Sequence, residues 1–276
     1  MNTLTVAEAL AQARSRGVAR LDAQLLLAHA LSRDRTWLLA HDETPLDDMQ
    51  LQRFENDLER RCDKVPIAYL LGEKEFHGLS LRVNDDVLVP RPETEVLVDW
   101  ALALLAGALA AHWNPAVVDL GTGSGAIAMA VKHGRPAIRL SATDLSPAAL
   151  EVARTNAKRL SLEAELLCGP WWVPLADRRF HLVLSNPPYV ALGDPHLVDL
   201  RHEPTGALSS GPDGLDALQA IVAGAPGHLE PGGWLLLEHG HLQGPAVRKL
   251  LGGAGFADIE TRHDLSGHAR CTGGHL

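Results

Sequence analysis

The chain has 276 residues, enough for one sizeable core and a smaller second unit, and its 46% hydrophobic and 21% charged content is ordinary for a globular protein. With 25 basic against 34 acidic residues it carries a formal charge of -9, which argues against gripping DNA or RNA mainly through phosphates but leaves room for a local basic patch. The N-terminus lacks the basic head and apolar run of a signal peptide, and the longest apolar stretch, Val96 to Ala111, contains Asp99 and is too short to span a bilayer, so a cytoplasmic, membrane-free protein is expected.

Residues 1–72 are expected to be wholly helical. Thr5 and Glu8 form a capping box before a helix that stops at Gly17. Leu21, Leu25 and Ala28 lie at helical spacing, as do Leu51, Phe54, Leu58 and Cys62 further on. Pro45 and the Asp47-Asp48 pair mark the start of that later helix, and Pro66 and Gly72 close the segment. A unit of this size without a chemical motif reads as a partner-binding or capping domain. Over residues 73–91 the period changes: Leu79, Leu81 and Val83 alternate, and Gly78 stands where a tight turn is needed, which predicts a β-hairpin linker.

From residue 92 to 276 the pattern is strand, turn, helix, repeated. Apolar runs suited to buried parallel strands occur at Ala116–Leu120, Ile138–Thr143, Glu165–Cys168, His181–Ser185 and Trp234–Glu238. The clearest helix between them runs from Pro147 to Leu160, with Ser146 as its cap. The fold class that follows is α/β, a doubly wound, mostly parallel open sheet with helices on both faces, preceded by a small all-helical domain.

Candidate chemistry falls at the carboxyl ends of those strands, where such sheets bind ligands. Asp119-Leu120 leads into Gly121-Thr122-Gly123-Ser124-Gly125, a loop in which glycines let the backbone approach a ligand closely. A nicotinamide-binding loop would carry G-x-G-x-x-G, whereas the spacing here is G-x-G-x-G. Asp144 ends the next strand, where an acid accepts hydrogen bonds from both ribose hydroxyls, or else caps the helix near Ser146. The third cluster is Ser185-Asn186-Pro187-Pro188-Tyr189. Consecutive prolines cannot extend a central strand, so the chain must leave the sheet as a stiff turn that holds Asn186 toward the crevice. An amide NH₂ is a poor nucleophile with two donors. The Asn186 carboxamide oxygen and the Pro187 carbonyl suit it as acceptors, and Tyr189 offers a face for the planar group.

Asn-Pro-Pro-Tyr after the fourth sheet strand resembles the amino-methyltransferases that act on adenine, cytosine or glutamine nitrogens. Other segments narrow the resemblance: Ile67 to Gly72, Val89-Pro90-Arg91-Pro92-Glu93-Thr94-Glu95, Glu203-Pro204 with Ala207-Leu208, Asp213-Gly214-Leu215, Pro231-Gly232-Gly233 and Glu238-His239-Gly240. From about residue 5 to the C-terminus the chain resembles the peptide chain release factor glutamine N5-methyltransferases, the PrmC/HemK group. That resemblance implies a class I, Rossmann-like methyltransferase fold and S-adenosyl-L-methionine as cofactor, leaving S-adenosyl-L-homocysteine. It implies that Gly121 to Gly125 wrap the methionine part, that Asp144 holds the ribose, and that Trp171 lies on the adenine. Asn186 to Tyr189 would receive the glutamine of a Gly-Gly-Gln motif, and the helical domain would help bind the release factor.

The segment Gly169-Pro170-Trp171-Trp172 departs from the family, which usually has an acid just before the aromatic pair, so either tryptophan is open as the stacking residue. No general base is expected. The 14 histidines suggest metal, but His239 and His241 have no third ligand at a recognisable spacing and read as surface or loop residues, so no metal is expected. The scattered cysteines Cys62, Cys168 and Cys271 read as free buried thiols. A nucleic-acid amino-methyltransferase shares the Asn-Pro-Pro-Tyr device but should present a Lys/Arg stripe, so no direct DNA binding is expected. An idle S-adenosylmethionine-binding scaffold would lack that device.

Overall fold

A computed structural model of the chain describes residues 4–276; residues 1–3 of the expected helical domain lie outside the described residues. The chain divides into two compact units, the first ending at Glu73 and the second running from Lys74 to Leu276.

The first unit holds α1 (Val6–Ser15), α2 (Arg20–Leu31), α3 (Arg35–Ala40), α4 (Asp48–Cys62) and α5 (Ile67–Leu71). Capping places α1: the Glu8 backbone N–H donates to Thr5 Oγ1 at 3.3 Å, and the Thr5 N–H donates back to Glu8 Oε2 at 2.8 Å. Asp47 and Gln50 form the same reciprocal pair at the start of α4. The unit closes around Leu26, Leu27, Leu38, Phe54 and Leu58.

Two expectations are corrected here. The α2 face that packs inward carries Ala23, Leu26, Leu27 and Ala30, while Leu21 is 50% exposed. Leucines at successive positions 25, 26 and 27 offer overlapping stripes, and spacing alone does not choose between them. Cys62, at the last turn of α4, is exposed, as is Cys168; all three cysteines are free, and only Cys271 is buried. Between Pro66 and Gly72 the chain inserts α5, which Gly72 ends at φ 72°.

From the last residue of the first unit the chain enters a hairpin of β1 (Glu73–Phe76) and β2 (Leu79–Arg82). Its turn residues, His77 and Gly78, have φ of 49° and 78°, the paired left-handed conformation that matches strand twist in a two-residue loop. After α6 (Glu95–Ala106) come β3 (Ala116–Leu120), α7 (Ala126–Gly134), β4 (Arg139–Asp144), α8 (Pro147–Leu160), β5 (Glu165–Cys168), β6 (Phe180–Ser185), α9 (Asp216–His228), β7 (Leu229–Glu238), α10 (Gly244–Gly253), β8 (Ala257–His263) and β9 (Ala269–His275).

The sheet order is β5-β4-β3-β6-β7-β9-β8. The strands from β5 to β7 are parallel, and β9 runs antiparallel between β7 and β8. Alternate residues of one strand serve two cores: Val117 packs with α6 and α7, whereas Val118 and Leu120 pack with α9 and α10. Burial on both faces is why the parallel strands read as continuous apolar runs. The expected doubly wound, mostly parallel sheet is therefore present. Among the described residues no helix is long and apolar enough to cross a membrane.

Candidate functional site

The strand order reverses between β3 and β6, so their following loops part and leave a crevice at the carboxyl end of the sheet. There a cavity of about 330 Å³ is lined by Gly121 to Ser124, Asp144, Trp171, Asn186 and Pro188, with Val87, Pro90 and Ile127 among its apolar wall. That size lies at the lower end of small-molecule sites.

The glycine loop is held from below. The backbone N–H groups of Gly121 and Thr122 both donate to the Thr143 carbonyl, at 2.8 and 2.9 Å. Thr122 Oγ1 donates to Asp119 Oδ2 at 2.6 Å. Asp119 is fully buried, and burial pushes its carboxyl up to about 7, against the stabilising hydroxyl of Thr122. Gly121 has φ 73°, and a Cβ there would stand 3.2 Å from the Trp171 ring.

Asp144 holds the glycine loop to the turn before α8 and stands at the cavity, without itself capping the helix. Its Oδ2 accepts from the Gly123 N–H at 2.8 Å and its Oδ1 from the Ser146 N–H at 2.9 Å, while the half-buried carboxylate also lines the cavity. Each oxygen keeps a further lone pair. The Ser146 side chain caps α8 separately, through Ala149 N at 3.1 Å.

The two tryptophans part company. Trp171 sits at φ 44°, rare for a bulky residue, with its ring against Gly121 in the cavity wall. Trp172 turns away: its Nε1 donates to the Ile221 carbonyl at 3.1 Å, and its ring stacks on His228 at 4.7 Å. Pro170 lines the cavity beside Trp171 where the family's acid would stand.

The Asn-Pro-Pro-Tyr segment leaves β6 as expected but does not present all four residues to the cavity. Asn186 and Pro188 line it, whereas Pro187 is buried and Tyr189 packs into the apolar layer beneath α9. The Tyr189 hydroxyl donates to Glu238 Oε1 at 3.4 Å, and burial together with that carboxylate raises its pKa. The Asn186 amide NH₂ donates to Thr94 Oγ1 at 3.3 Å.

Several supporting residues escaped the reading of the sequence. Asn156 in α8 accepts from Arg82 N at 2.7 Å and donates to the Ser124 carbonyl at 2.9 Å, tying the hairpin to the glycine loop. Gln243 donates to the Tyr189 carbonyl at 3.1 Å and accepts from Gly240 N at 2.9 Å. Glu203 is buried, accepts from Val89 N at 3.0 Å and pairs with Arg91. Glu203 and Arg91 stand in quoted motifs, which was the available signal; Asn156 and Gln243 had none. His239, expected as a surface or loop residue, lies in the loop just after β7 but is fully buried there, with its Nε2 2.7 Å from Thr272 Oγ1. The sheet end wraps around it, and burial lowers its pKa. His241 is exposed.

The profile described as "PrmC N-terminal domain" matches residues 3–72, and "Methyltransferase small domain" matches residues 94–199. A T. thermophilus 16S rRNA N2 methyltransferase, solved with AdoMet and guanosine, shares the fold at TM-score 0.55 and 18% identity, over 74% of this chain and 49% of its own. A switch-point cavity behind a glycine loop, in this sheet order, thus defines a Rossmann-like methyltransferase. A release factor glutamine methyltransferase of Bordetella pertussis is 48% identical over 94% of this chain and 96% of its own length. One from Xylella fastidiosa is 47% identical over 96% of each. The chain belongs to the release factor glutamine methyltransferase family, whose members are S-adenosylmethionine-dependent.

Proposed function

We propose that the chain transfers a methyl group from S-adenosyl-L-methionine to the side-chain amide nitrogen, N5, of the glutamine in the Gly-Gly-Gln motif of class I release factors. The setting is the cytoplasm, with no metal ion and no direct contact to DNA. The observation that carries this reading is Asn186, an amide acceptor held at the same cavity as the glycine loop and Asp144. The names of the near-full-length relatives direct the accepting group toward glutamine.

The cavity suits the cofactor. Asp144 keeps lone pairs for ribose hydroxyls, Trp171 offers an indole face for adenine, and Gly121 leaves the close approach that a Cβ would fill. The bound cofactor supplies an electrophilic methyl on a sulfonium sulfur. The protein's part is orientation: Asn186 Oδ1 and the Pro187 carbonyl accept the two amide hydrogens and aim the nitrogen lone pair for an in-line attack. As the nitrogen gains positive character, those acceptors bind it more tightly, which lowers the barrier. The methylated nitrogen is then strongly acidic and loses its proton without a dedicated base. We assign recognition of the release factor to the helical unit.

Incubating the protein with a release factor and isotopically labelled S-adenosylmethionine, followed by peptide mass spectrometry, tests the proposal. One labelled methyl on the Gly-Gly-Gln glutamine is expected. Label in DNA or RNA and none in the release factor would overturn it.

A further inference from the structure

Buried polar groups reach Asn186 and Tyr189 from residues distant in sequence, and one of them, Thr94, lines the cavity. Thr94 ends the short turn that opens α6 and is 3% exposed. Its hydroxyl receives the Asn186 Nδ2 hydrogen bond at 3.3 Å. Glu238 ends β7 and is 1% exposed; its Oε1 takes the Tyr189 hydroxyl at 3.4 Å, and its Oε2 is buried without a close hydrogen bond. Burial pushes this carboxyl up to about 7, against the Thr94 hydroxyl and the Arg270 charge, which pull it down.

A carboxamide has two orientations of nearly the same shape, and only its polar partners choose between them. In one, Asn186 presents an oxygen to the cavity and serves as an acceptor for a substrate NH₂. In the other it presents its own NH₂, and two donors face each other. The Thr94 hydroxyl owns a single proton. The Asn186 Nδ2 hydrogen is aimed at the hydroxyl oxygen, so Thr94 meets Asn186 as an acceptor. The Asn186 NH₂ must then point to Thr94, and its oxygen to the cavity.

We propose that Thr94 is a positioning residue that fixes the Asn186 carboxamide with its oxygen toward the substrate amide. This rests on Asn186 being the amide clamp of the proposed reaction, and the test separates the two ideas. Thr94→Val keeps the shape and removes the hydroxyl. It is expected to lower kcat on the intact release factor by about tenfold or more, since roughly 1.4 kcal/mol of misplaced hydrogen bonding suffices. The dissociation constant of S-adenosylmethionine should stay within about twofold, a factor worth less than one ordinary hydrogen bond. Thr94→Ser, which restores the hydroxyl, should recover most of the rate.

The decisive arm is the cycle with Asn186→Ala. If Thr94 acts through Asn186, adding Thr94→Val to that background costs nothing more. Circular dichroism melts establish that each variant folds, and Thr94→Ala carries the same arm if the valine is not accommodated. A slow Asn186→Ala variant with a normal Thr94→Val rate, or losses that multiply in the double variant, overturns the positioning proposal alone. A wild-type rate for Asn186→Ala overturns the clamp and the positioning proposal with it.

Discussion

Trp171 and Trp172 are neighbours whose rings do opposite work, so truncating each should damage a different property. Trp172→Ala removes the Nε1 hydrogen bond to Ile221 and the ring stacked 4.7 Å from His228 at an interplanar angle of 6°. It also uncovers Gly224, where a Cβ would lie 2.2 Å from the indole. Losing the packing and the hydrogen bond together costs on the order of 2–4 kcal/mol. In a domain of this size that lowers the melting midpoint by roughly 5–15 °C. Trp171→Ala instead strips one wall of the cavity. If one indole face covers about a third of the 150–250 Å² an aromatic residue can bury, its loss costs about 1–2 kcal/mol in area and about 1 more in stacking. The dissociation constant of S-adenosylmethionine should then rise about 30- to 150-fold, with little change in the ligand-free melting midpoint. Isothermal titration and thermal melts on the two variants read both quantities. A larger loss of affinity from Trp172→Ala than from Trp171→Ala would refute the assignment of Trp171 to the adenine face.

Asp144→Ala removes an acceptor for the Gly123 and Ser146 N–H groups as well as for ribose, so it should weaken cofactor binding at least tenfold, at about 1.5–3 kcal/mol per charge-assisted bond. Unchanged calorimetric affinity in a folded variant would remove it from the site. Asp119 gives a pH prediction: its carboxyl is raised to about 7 from 3.8, so the folded state holds a proton that the unfolded state has released. Stability from this group is full below about pH 4 and is lost as pH rises toward and past 7. Urea midpoints should therefore fall between pH 5 and 8, and fall less in Asp119→Asn; identical slopes would contradict the buried acid.

Most of the α/β framework was legible because burial on both faces leaves a plain apolar signature. β3 and β5 have the expected limits, and α8 runs from Pro147 to Leu160 as its cap residue predicts. Where the reading stopped short, a local signal contradicted the tertiary structure. Pro231-Gly232-Gly233 looks like a strand break, yet β7 begins at Leu229 and absorbs those residues in a register shift between Phe180 and Leu182 of β6. β8 went unread because an edge strand with Asp258, Glu260 and Arg262 has no apolar run. β9 went unread because Gly273 and Gly274 argue against a strand. Packing demands the first of them: a Cβ on Gly273 would lie 2.4 Å from Leu236 and 2.6 Å from the Leu235 carbonyl.

The same division runs through the site. Residues that line the cavity sit at strand ends in short contiguous runs, because a glycine turn or a double proline is a backbone requirement and must be written locally. The groups that hold them are under no such constraint. Asn156 lies 74 residues from Arg82, Thr94 lies 92 from Asn186, and Gln243 lies 54 from Tyr189. Folding joins each pair, and a threonine, glutamine or asparagine carries no sign in sequence of which partner it will find. Tyr189 shows the consequence. Its place in the motif suggested a ring laid on the substrate amide, but its hydroxyl is committed to Glu238 and its ring to the sheet. It stands behind the wall, so replacing it should disturb its contact with Glu238 and the packing beside β7 before it disturbs anything in the cavity.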